Sequence, residues 1–237
     1  MTPLRVATFN IAHGRGQDNL VDLRRTADLL VDLAADIVCL QEVDRHFGER
    51  SGWADQGAEL ADALGMTSAY GAALTLPTDR EGSPAREYGN AVLTRRTLRA
   101  RAVHRLPRRG RAEPRCLLLA ELDELTVGCV HLQHNSADGR ERQAAAVLAA
   151  LPPDRPILLA GDFNADPGDS ELATLGRRLE DVWPRAGQGR GATFPSRWPR
   201  RRLDQVYLSA GLRPIRARVV ASKASDHRPL VVDLVVE

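Results

Sequence analysis

The chain has 237 residues, of which 43% are hydrophobic and 27% charged, and its net charge is +2. This composition excludes a disordered or low-complexity chain, and the length allows a sizeable core, so we expect a single domain over residues 1–237. The sequence starts without an apolar signal segment and contains no stretch long enough to span a membrane, which predicts a cytoplasmic protein with no stable membrane insertion.

The cysteines and the arginines are distributed unevenly. An odd set of three cysteines lies in apolar runs, which favours buried, reduced thiols over a disulfide framework: Cys39, Cys116 and Cys129. Nine arginines fall between Arg95 and Arg115 against the single acid Glu113, whereas residues 18–62 are rich in Asp and Glu. Two interpretations of the arginines stay open: a solvated basic surface, or a field that attracts phosphate-bearing substrates.

Apolar runs bounded by turn residues predict strands, and apolar residues three and four apart predict helices. The predicted strands are Leu4–Ile11, Ile37–Leu40, Asn90–Thr94, Cys116–Leu122, Thr126–Leu132, Ile157–Ala160, Leu203–Ser209 and Pro229–Val236. The predicted helices are Leu23–Ala34, Gln56–Leu64 and Arg140–Leu151, and the Gly-, Pro- and Arg-rich stretches 104–114 and 184–202 are predicted loops. These strands are too many for one small sheet. We therefore expect stacked sheets that are covered by the helices.

The most specific segment runs from Gly161 to Pro167, directly after an apolar strand. Side chains alternate along a strand, so Asp162 and Asn164 point the same way. Asp162 can accept a proton from a nucleophilic water while Asn164 donates to an oxygen that gains charge. The alternative is an Asx turn followed by a helix start at Asp166.

A second segment, Ser225 to Pro229, precedes the last predicted strand and contains an adjacent Asp226 and His227. The pair can offer a carboxylate to a metal and an imidazole to a phosphoryl oxygen, although such a pair is also common in turns. Asp204, which opens a strand, can hold one ring nitrogen of His227 and fix its orientation.

Two further polar residues accompany apolar strands near the start of the chain. Glu42 follows the run Ile37–Leu40 and would be an oxygen ligand for a hard cation; the alternative is an exposed acid at a strand end. Asn10 interrupts an apolar strand, and a buried amide is costly unless it is bonded, which favours a place in the site.

His131 and His134 lie three residues apart at the end of another predicted strand. This spacing is compatible with zinc, but the surrounding donors are Asp, Glu and Asn oxygens. The donor set therefore predicts magnesium or manganese and leaves His131 free to contact phosphate.

These motifs, TFN, QEVD, YGNAVLTR, VHLQH, GDFNADP, RRLDQVYLS and SDHRPLVVDL, resemble the signature set of the endonuclease/exonuclease/phosphatase superfamily, in the order of that family and over nearly the whole chain. The resemblance implies an α+β fold: a four-layer α/β/β/α sandwich with two mainly antiparallel sheets flanked by helices. It also implies a magnesium or manganese site at one end of the sheets.

The resemblance also implies a role for each residue that matches a family motif. Metal binding falls to Asn10, Glu42 and Asp226. The catalytic group is His131, Asp162, Asn164, Asp204 and His227, in which Asp162 orients or deprotonates the attacking water and His227, held by Asp204, stabilises the pentacovalent phosphorus. Substrate contact falls to Asn90 and Arg115, with Tyr88 and His134 as weaker candidates. Abasic-site repair is disfavoured, because such enzymes have a tyrosine at the position of His131 and an aromatic residue at that of Arg201.

The expected function is metal-dependent hydrolysis of a phosphoester by in-line attack of water. The leading substrate is a small or lipid-derived phosphate ester, with no protein partner. A nuclease acting on DNA or RNA is the enzymatic alternative, and a catalytically silent binding protein is the third possibility.

Overall fold

The computed structural model describes residues 2–78 and 82–237 and contains two six-stranded sheets packed face to face. The strands are β1 Thr2–Asn10, β2 Ile37–Arg45, β3 Thr67–Leu76, β4 Arg86–Thr94, β5 Leu98–Arg105, β6 Cys116–Leu122, β7 Thr126–His131, β8 Ile157–Asp162, β9 Glu180–Asp181, β10 Asp204–Leu208, β11 Leu212–Val219 and β12 Leu230–Val236. The helices are α1 Leu23–Leu33, α2 Gln56–Leu64, α3 Ala137–Ala150 and the short α4 Trp183–Ala186. Turns of 3₁₀ helix cover Ala12–Gly14, Glu49–Ser51 and Ser170–Arg177.

The two sheets have the same arrangement. One has the order β11-β12-β1-β2-β4-β3 and the other β5-β6-β7-β8-β10-β9. Each contains one parallel pair, β1 with β2 and β7 with β8, and all other neighbours are antiparallel. The prediction of two mainly antiparallel sheets is confirmed.

Three apolar layers hold the sandwich together. The central layer lies between the sheets and includes Val6, Cys39 and Cys129. On one outer face α1 and α2 cover the first sheet, where Leu30 and Leu60 are fully buried. On the other, α3 packs on the second sheet. Because the central strands are buried on both faces, they appear in the sequence as continuous apolar runs.

The long helices begin at side-chain caps. Asp22, Asp55 and Ser136 each accept a hydrogen bond from a backbone N–H in the first turn of α1, α2 and α3. The prediction that the third helix starts at Arg140 was wrong, because the Ser136 cap starts it at Ala137 and its first turn has no apolar period.

The strands that the sequence did not predict are β3, β5, β9 and β11, and all four are edges of the sheets. An edge strand keeps part of its surface in water, so its apolar run is broken by polar residues. Strand β5 carries arginines and ends at Arg105, so the predicted loop 104–114 was wrong at its first two residues.

The arginine-rich stretch divides between two environments. On or beside the exposed edge, Arg99 pairs with Asp123 and Arg96 lies 3.6 Å from Glu124. Arg115 instead is buried at the end of the sandwich. Among the described residues, no helix is long and apolar enough to cross a membrane.

Candidate active site

Five predicted site residues meet at one rim of the two sheets. Asn10 ends β1 and Glu42 lies in the second half of β2, while His131 ends β7 and Asp162 ends β8. The carboxyl ends of a parallel pair lie side by side, so each parallel pair delivers two of these residues to the rim. Strand β10 runs the other way and begins at Asp204, directly opposite Asp162.

Asp162 lies at the centre of this group and is almost completely buried. The Asn10 amide nitrogen donates to the Asp162 Oδ2, 3.1 Å away, and lies 3.0 Å from the Glu42 Oε1, so it joins carboxylates of both sheets. The backbone N–H of Asn164 donates to the Asp162 Oδ1, which is the Asx turn that the sequence offered as the alternative. Strand β8 ends at Asp162, so the expected alternation does not extend to Asn164. Burial raises the pKa of Asp162 above its ordinary value; the charge of His227 opposes this shift and Asp204 adds to it.

His227 is held as a cation between two carboxylates. Its Nδ1 lies 2.8 Å from the Asp204 Oδ2, and its Nε2 lies 3.7 Å from the Asp162 Oδ2. Burial by itself would lower the pKa of His227, but Asp204 and Asp162 outweigh it and raise the pKa to about 10. The Phe194 ring packs on the imidazole with 4.8 Å between centroids, which fixes its plane.

His131 faces the same carboxylate from the other side but is neutral. Its Nε2 is 3.5 Å from the Asp162 Oδ2, and its Nδ1 is 3.3 Å from the Arg115 guanidinium. A guanidinium can only donate, so Nδ1 accepts and the ring proton sits on Nε2, facing Asp162. Burial, and then the charge of Arg115, hold the pKa of His131 well below 6.5.

Two site residues adopt left-handed backbone conformations, which non-glycine residues rarely do. Glu42 has φ +58° and Asn164 has φ +53°. The pairing of β2 with β4 shifts register between Leu40 and Val43, so Glu42 lies in a bulge that aims its side chain at Asn10. Such strain is characteristic of sites whose geometry the surrounding fold imposes.

The residues at this rim fit a hard divalent cation. Glu42 and the exposed Asp226 each accept a hydrogen bond at one carboxylate oxygen and keep the other oxygen as a donor to a metal. Among residues 2–78 and 82–237, no three His, Cys, Asp or Glu side chains are grouped closely enough to form a metal cage. Magnesium is commonly held by one or two carboxylates together with water and substrate oxygens, so Glu42 and Asp226 would suffice as its charged ligands.

The predicted substrate residues occupy different environments. Arg115 is 3% exposed and lies beside both His131 and His134, and its Nε is buried without a hydrogen-bond partner. The Asn90 amide nitrogen donates to backbone carbonyls of Cys116 and Cys129, which leaves only its oxygen for a ligand.

Tyr88 is buried against Phe47, with ring centroids 6.1 Å apart, and burial, followed by the charge of Glu42, raises the pKa of its hydroxyl. It therefore lies next to the predicted metal ligand while remaining a neutral phenol. Tyr88 therefore lies beside the site, and its contact with a substrate remains a prediction.

His13 and Arg50 were not singled out from the sequence, and they interact electrostatically with Asp226 and Glu42, respectively. His13 is 9% exposed in the 3₁₀ turn after Asn10, and burial followed by the Arg50 charge lowers its pKa to about 4. Arg50 forms two hydrogen bonds with the buried Asp44, at 2.8 and 2.6 Å. The only signal for His13 was its position three residues after Asn10, because its left-handed φ of +48° is not visible in the sequence.

Comparison with known proteins agrees with this geometry. Residues 7–227 match the model of the Endonuclease/Exonuclease/phosphatase family. The uncharacterized protein YbhP of Escherichia coli K12 is 31% identical over 97% of this chain and 95% of its own length. An endonuclease/exonuclease/phosphatase from Beutenbergia cavernae superposes with a TM-score of 0.85 at 26% identity, over 100% of this chain and 72% of that one.

A mannosyl-6-phosphatase from Bacteroides thetaiotaomicron, 18% identical, has a TM-score of 0.74 over 98% of this chain and 99% of its own. At that identity the likeness shows the fold alone. Members of the family are hydrolases that act on phosphoesters. The family match, the four-layer sandwich and the strand-end site lead to one conclusion: the chain belongs to the endonuclease/exonuclease/phosphatase family.

Proposed function

We propose that this protein is a cytoplasmic, divalent-metal-dependent phosphoesterase that acts on a small or lipid-derived phosphate ester. One observation carries the proposal: a single buried carboxylate, Asp162, lies between a cationic histidine and a neutral one, His227 and His131. The family match supports phosphoester hydrolysis as the reaction class.

Each group around Asp162 has a chemical task in this proposal. Asp162 accepts a proton from the attacking water, and its raised pKa makes it a better base. His227 presents a fixed positive charge to the phosphoryl oxygens, and Asp204 keeps it protonated and oriented. His131 donates its Nε2–H. The Asn164 side-chain nitrogen donates to the Leu132 carbonyl, 3.0 Å away, and has a second N–H for a phosphoryl oxygen.

A bound Mg²⁺ or Mn²⁺ supplies charge neutralisation at the phosphate oxygens. In this chain Glu42 and Asp226 would hold it. The Asn10 oxygen accepts from the Ala12 backbone N–H and its nitrogen faces Glu42, so Asn10, predicted as a metal ligand, would orient Glu42 beside the metal. In this proposal water attacks the phosphorus directly, so no covalent intermediate forms.

The test is hydrolysis of matched p-nitrophenyl phosphodiester and phosphomonoester substrates with magnesium, with manganese and with chelator. We expect metal-dependent turnover that falls by roughly 10²- to 10⁴-fold in His227→Ala and in Asp162→Ala. The ester that is turned over faster decides between diesterase and monoesterase.

Asp233→Asn is a matched control, because Asp233 also forms an ion pair, with Arg5, but on β12 outside the site. It should keep full activity. Metal-dependent turnover that survives both site substitutions would refute the assignment of this rim as the active site. A protein that folds and binds metal but hydrolyses neither ester would support the silent binding protein instead.

A nuclease is the second candidate, and one observation favours it. Trp198 is 68% exposed on the loop that carries Phe194 to His227, and arginines flank it at 197 and 200. An exposed aromatic ring among cations is suited to stack on a nucleic-acid base. Cleavage of plasmid or of single-stranded oligonucleotide, lost in Trp198→Ala, would favour this candidate over the small-ester enzyme.

A further inference from the structure

A groove of about 550 Å³ opens beside Asp226 and is lined by cations from three separate loops. Arg15 follows the 3₁₀ turn after β1, Arg197 follows Phe194-Pro195, and Lys223 lies three residues before Asp226. All three side chains are exposed, and Lys223 is the only lysine of the chain. The functional site described above uses none of them.

The Gln17 side chain and backbone tie these three loops together. Its backbone N–H donates to the carbonyl of Lys223, 3.0 Å away, and its side-chain amide donates to the Ser196 Oγ and to the Ser222 carbonyl, at 2.7 and 3.3 Å. The Ser196 hydroxyl in turn donates to the Ser225 carbonyl. These hydrogen bonds hold the three loops that carry the cations in a fixed arrangement.

The charge of the groove is positive after its internal pairs are counted. Asp18 lines the groove, but the Arg25 guanidinium lies 2.7 Å from its carboxylate and neutralises it. Asp226 is the other lining carboxylate, and it belongs to the predicted metal site. Within the part of the chain that the structure describes, none of the three cations forms an ion pair.

The groove shares its wall with the candidate active site. The Ser196 backbone N–H donates to the Asp226 carbonyl, and the Arg228 side chain donates to the Ser196 carbonyl at 2.7 Å. Asp226 and His227 are neighbours in the chain. A substrate with its scissile phosphate at Asp162 can thus extend along Asp226 into the groove.

We propose that the groove binds a second anionic group of the substrate, a phosphate that is not hydrolysed. The inference rests on the proposed function and narrows its substrate class to phosphoesters that carry another phosphate. Three exposed cations around one groove favour a dianionic phosphate over a neutral headgroup. The substrate itself bridges the site and the groove, so the groove selects it without taking part in bond cleavage.

The test measures binding in the presence of chelator, so that turnover plays no part. The probes are the bisphosphates of propanediol, butanediol and hexanediol, each compared by calorimetry with the monophosphate of the same alcohol. The three lengths avoid any assumption about the spacing. We expect at least one bisphosphate to bind about fivefold or more tightly than its monophosphate.

The preference should fall to near unity in the double variant Arg15→Gln, Lys223→Gln, which keeps side-chain length and removes charge. Arg177→Gln is the matched control, because Arg177 is equally an exposed arginine but lines a different cavity, with Leu208 and Glu237. It should retain the preference. The preference should also weaken as salt is raised, because the cations are exposed.

Equal binding of bisphosphate and monophosphate at all three lengths, in folded wild type, would overturn the inference. A preference that the double variant retains, with thermal unfolding unchanged, would overturn it as well. The proposed function can fail separately. A protein that prefers a bisphosphate but hydrolyses no phosphoester with added metal would bind the second phosphate without being a phosphoesterase.

Discussion

At the residue scale, the site depends on how its surroundings set the charge of two histidines that face one carboxylate. His227 touches Asp204 and Asp162 and stays protonated, whereas His131 touches Arg115 and stays neutral. Both are buried, so burial alone would make both neutral. The difference comes from the partner of Nδ1, which is the Asp204 carboxylate for His227 and the Arg115 guanidinium cation for His131.

The Asp204–His227 pair predicts a pH-dependent contribution to the free energy of unfolding. The pKa of His227 is about 10 in the folded protein against 6.5 ordinarily, so between these values the folded state binds a proton that the unfolded chain has lost. The stabilisation is complete below the ordinary pKa and is lost as pH rises through about 10. We expect the free energy of unfolding lost in Asp204→Asn to shrink by roughly a few kcal/mol from about pH 6 to pH 10.

Urea unfolding in chelator, at several pH values across this window, measures the effect. Asp233→Asn removes an acid whose partner is an arginine, so its cost should stay constant over the same window. A cost of Asp204→Asn that is equally flat would show that His227 is not held as a cation.

At the scale of elements, the site exists because each sheet places a parallel pair at its centre. Strands β1 and β2 end on the same rim as β7 and β8, and the bulge at Glu42 turns one more side chain inward. Close backbone approach is part of this geometry. Gly161 pairs with Val130 across β7 and β8, immediately before Asp162.

Gly161→Ala is expected to destabilise the parallel pair and displace Asp162. Gly161 has φ +153°, and an added Cβ would lie 2.0 Å from the Val130 carbonyl oxygen, a backbone atom that cannot move away alone. We expect a loss of about 2–4 kcal/mol in the free energy of unfolding, measured by urea denaturation.

Gly176→Ala provides the comparison, because an added Cβ there meets no atom within 4 Å. It should change stability by less than about 0.5 kcal/mol. An equally small effect of Gly161→Ala would contradict the close approach of the β7 and β8 backbones at the site.

At the scale of the whole molecule, the two sheets are joined by polar contacts as well as by apolar packing. The Gln41 amide on β2 lies 3.2 Å from the Cys129 Sγ on β7, and the Cys116 thiol donates to the Gly71 carbonyl on the opposite sheet. These contacts lie between the two sheets. A reagent can therefore reach the thiols only when the sheets separate.

The cysteines are therefore expected to resist modification in the folded protein. All three are free and buried, and burial raises the pKa of Cys116 to about 12 and that of Cys129 well above its ordinary value. Ellman's reagent should label none of them in buffer and all three in denaturant, at a rate that follows unfolding. An Ala210→Cys variant, at an exposed position, should react at once. Rapid labelling of wild type in buffer would contradict the closed sandwich.

Much of the fold was predictable because the central strands are buried on both faces and appear as unbroken apolar runs, from Leu4–Ile11 to Pro229–Val236. The edge strands β3, β5, β9 and β11 were missed for the opposite reason, since water accepts their polar residues. The candidate site was predictable where polar residues follow apolar runs, as at Glu42, His131 and Asp162. Arg50 follows no such run. His13 lies two residues after the run Leu4–Ile11, but its left-handed backbone and its burial depend on the fold.

The sequence by itself determined the family, the layered architecture and the residues that belong to one site, because strand-end chemistry is local and its order along the chain is characteristic. The tertiary structure decided what those residues do to each other. Protonation of His227 but not His131, the bridging of Glu42 and Asp162 by Asn10, and the groove between loops 15–20, 195–197 and 221–226 all depend on distances across the fold. Such contacts join residues far apart in the chain, such as Gln17 and Ser222 at 205 positions, and no local pattern encodes them.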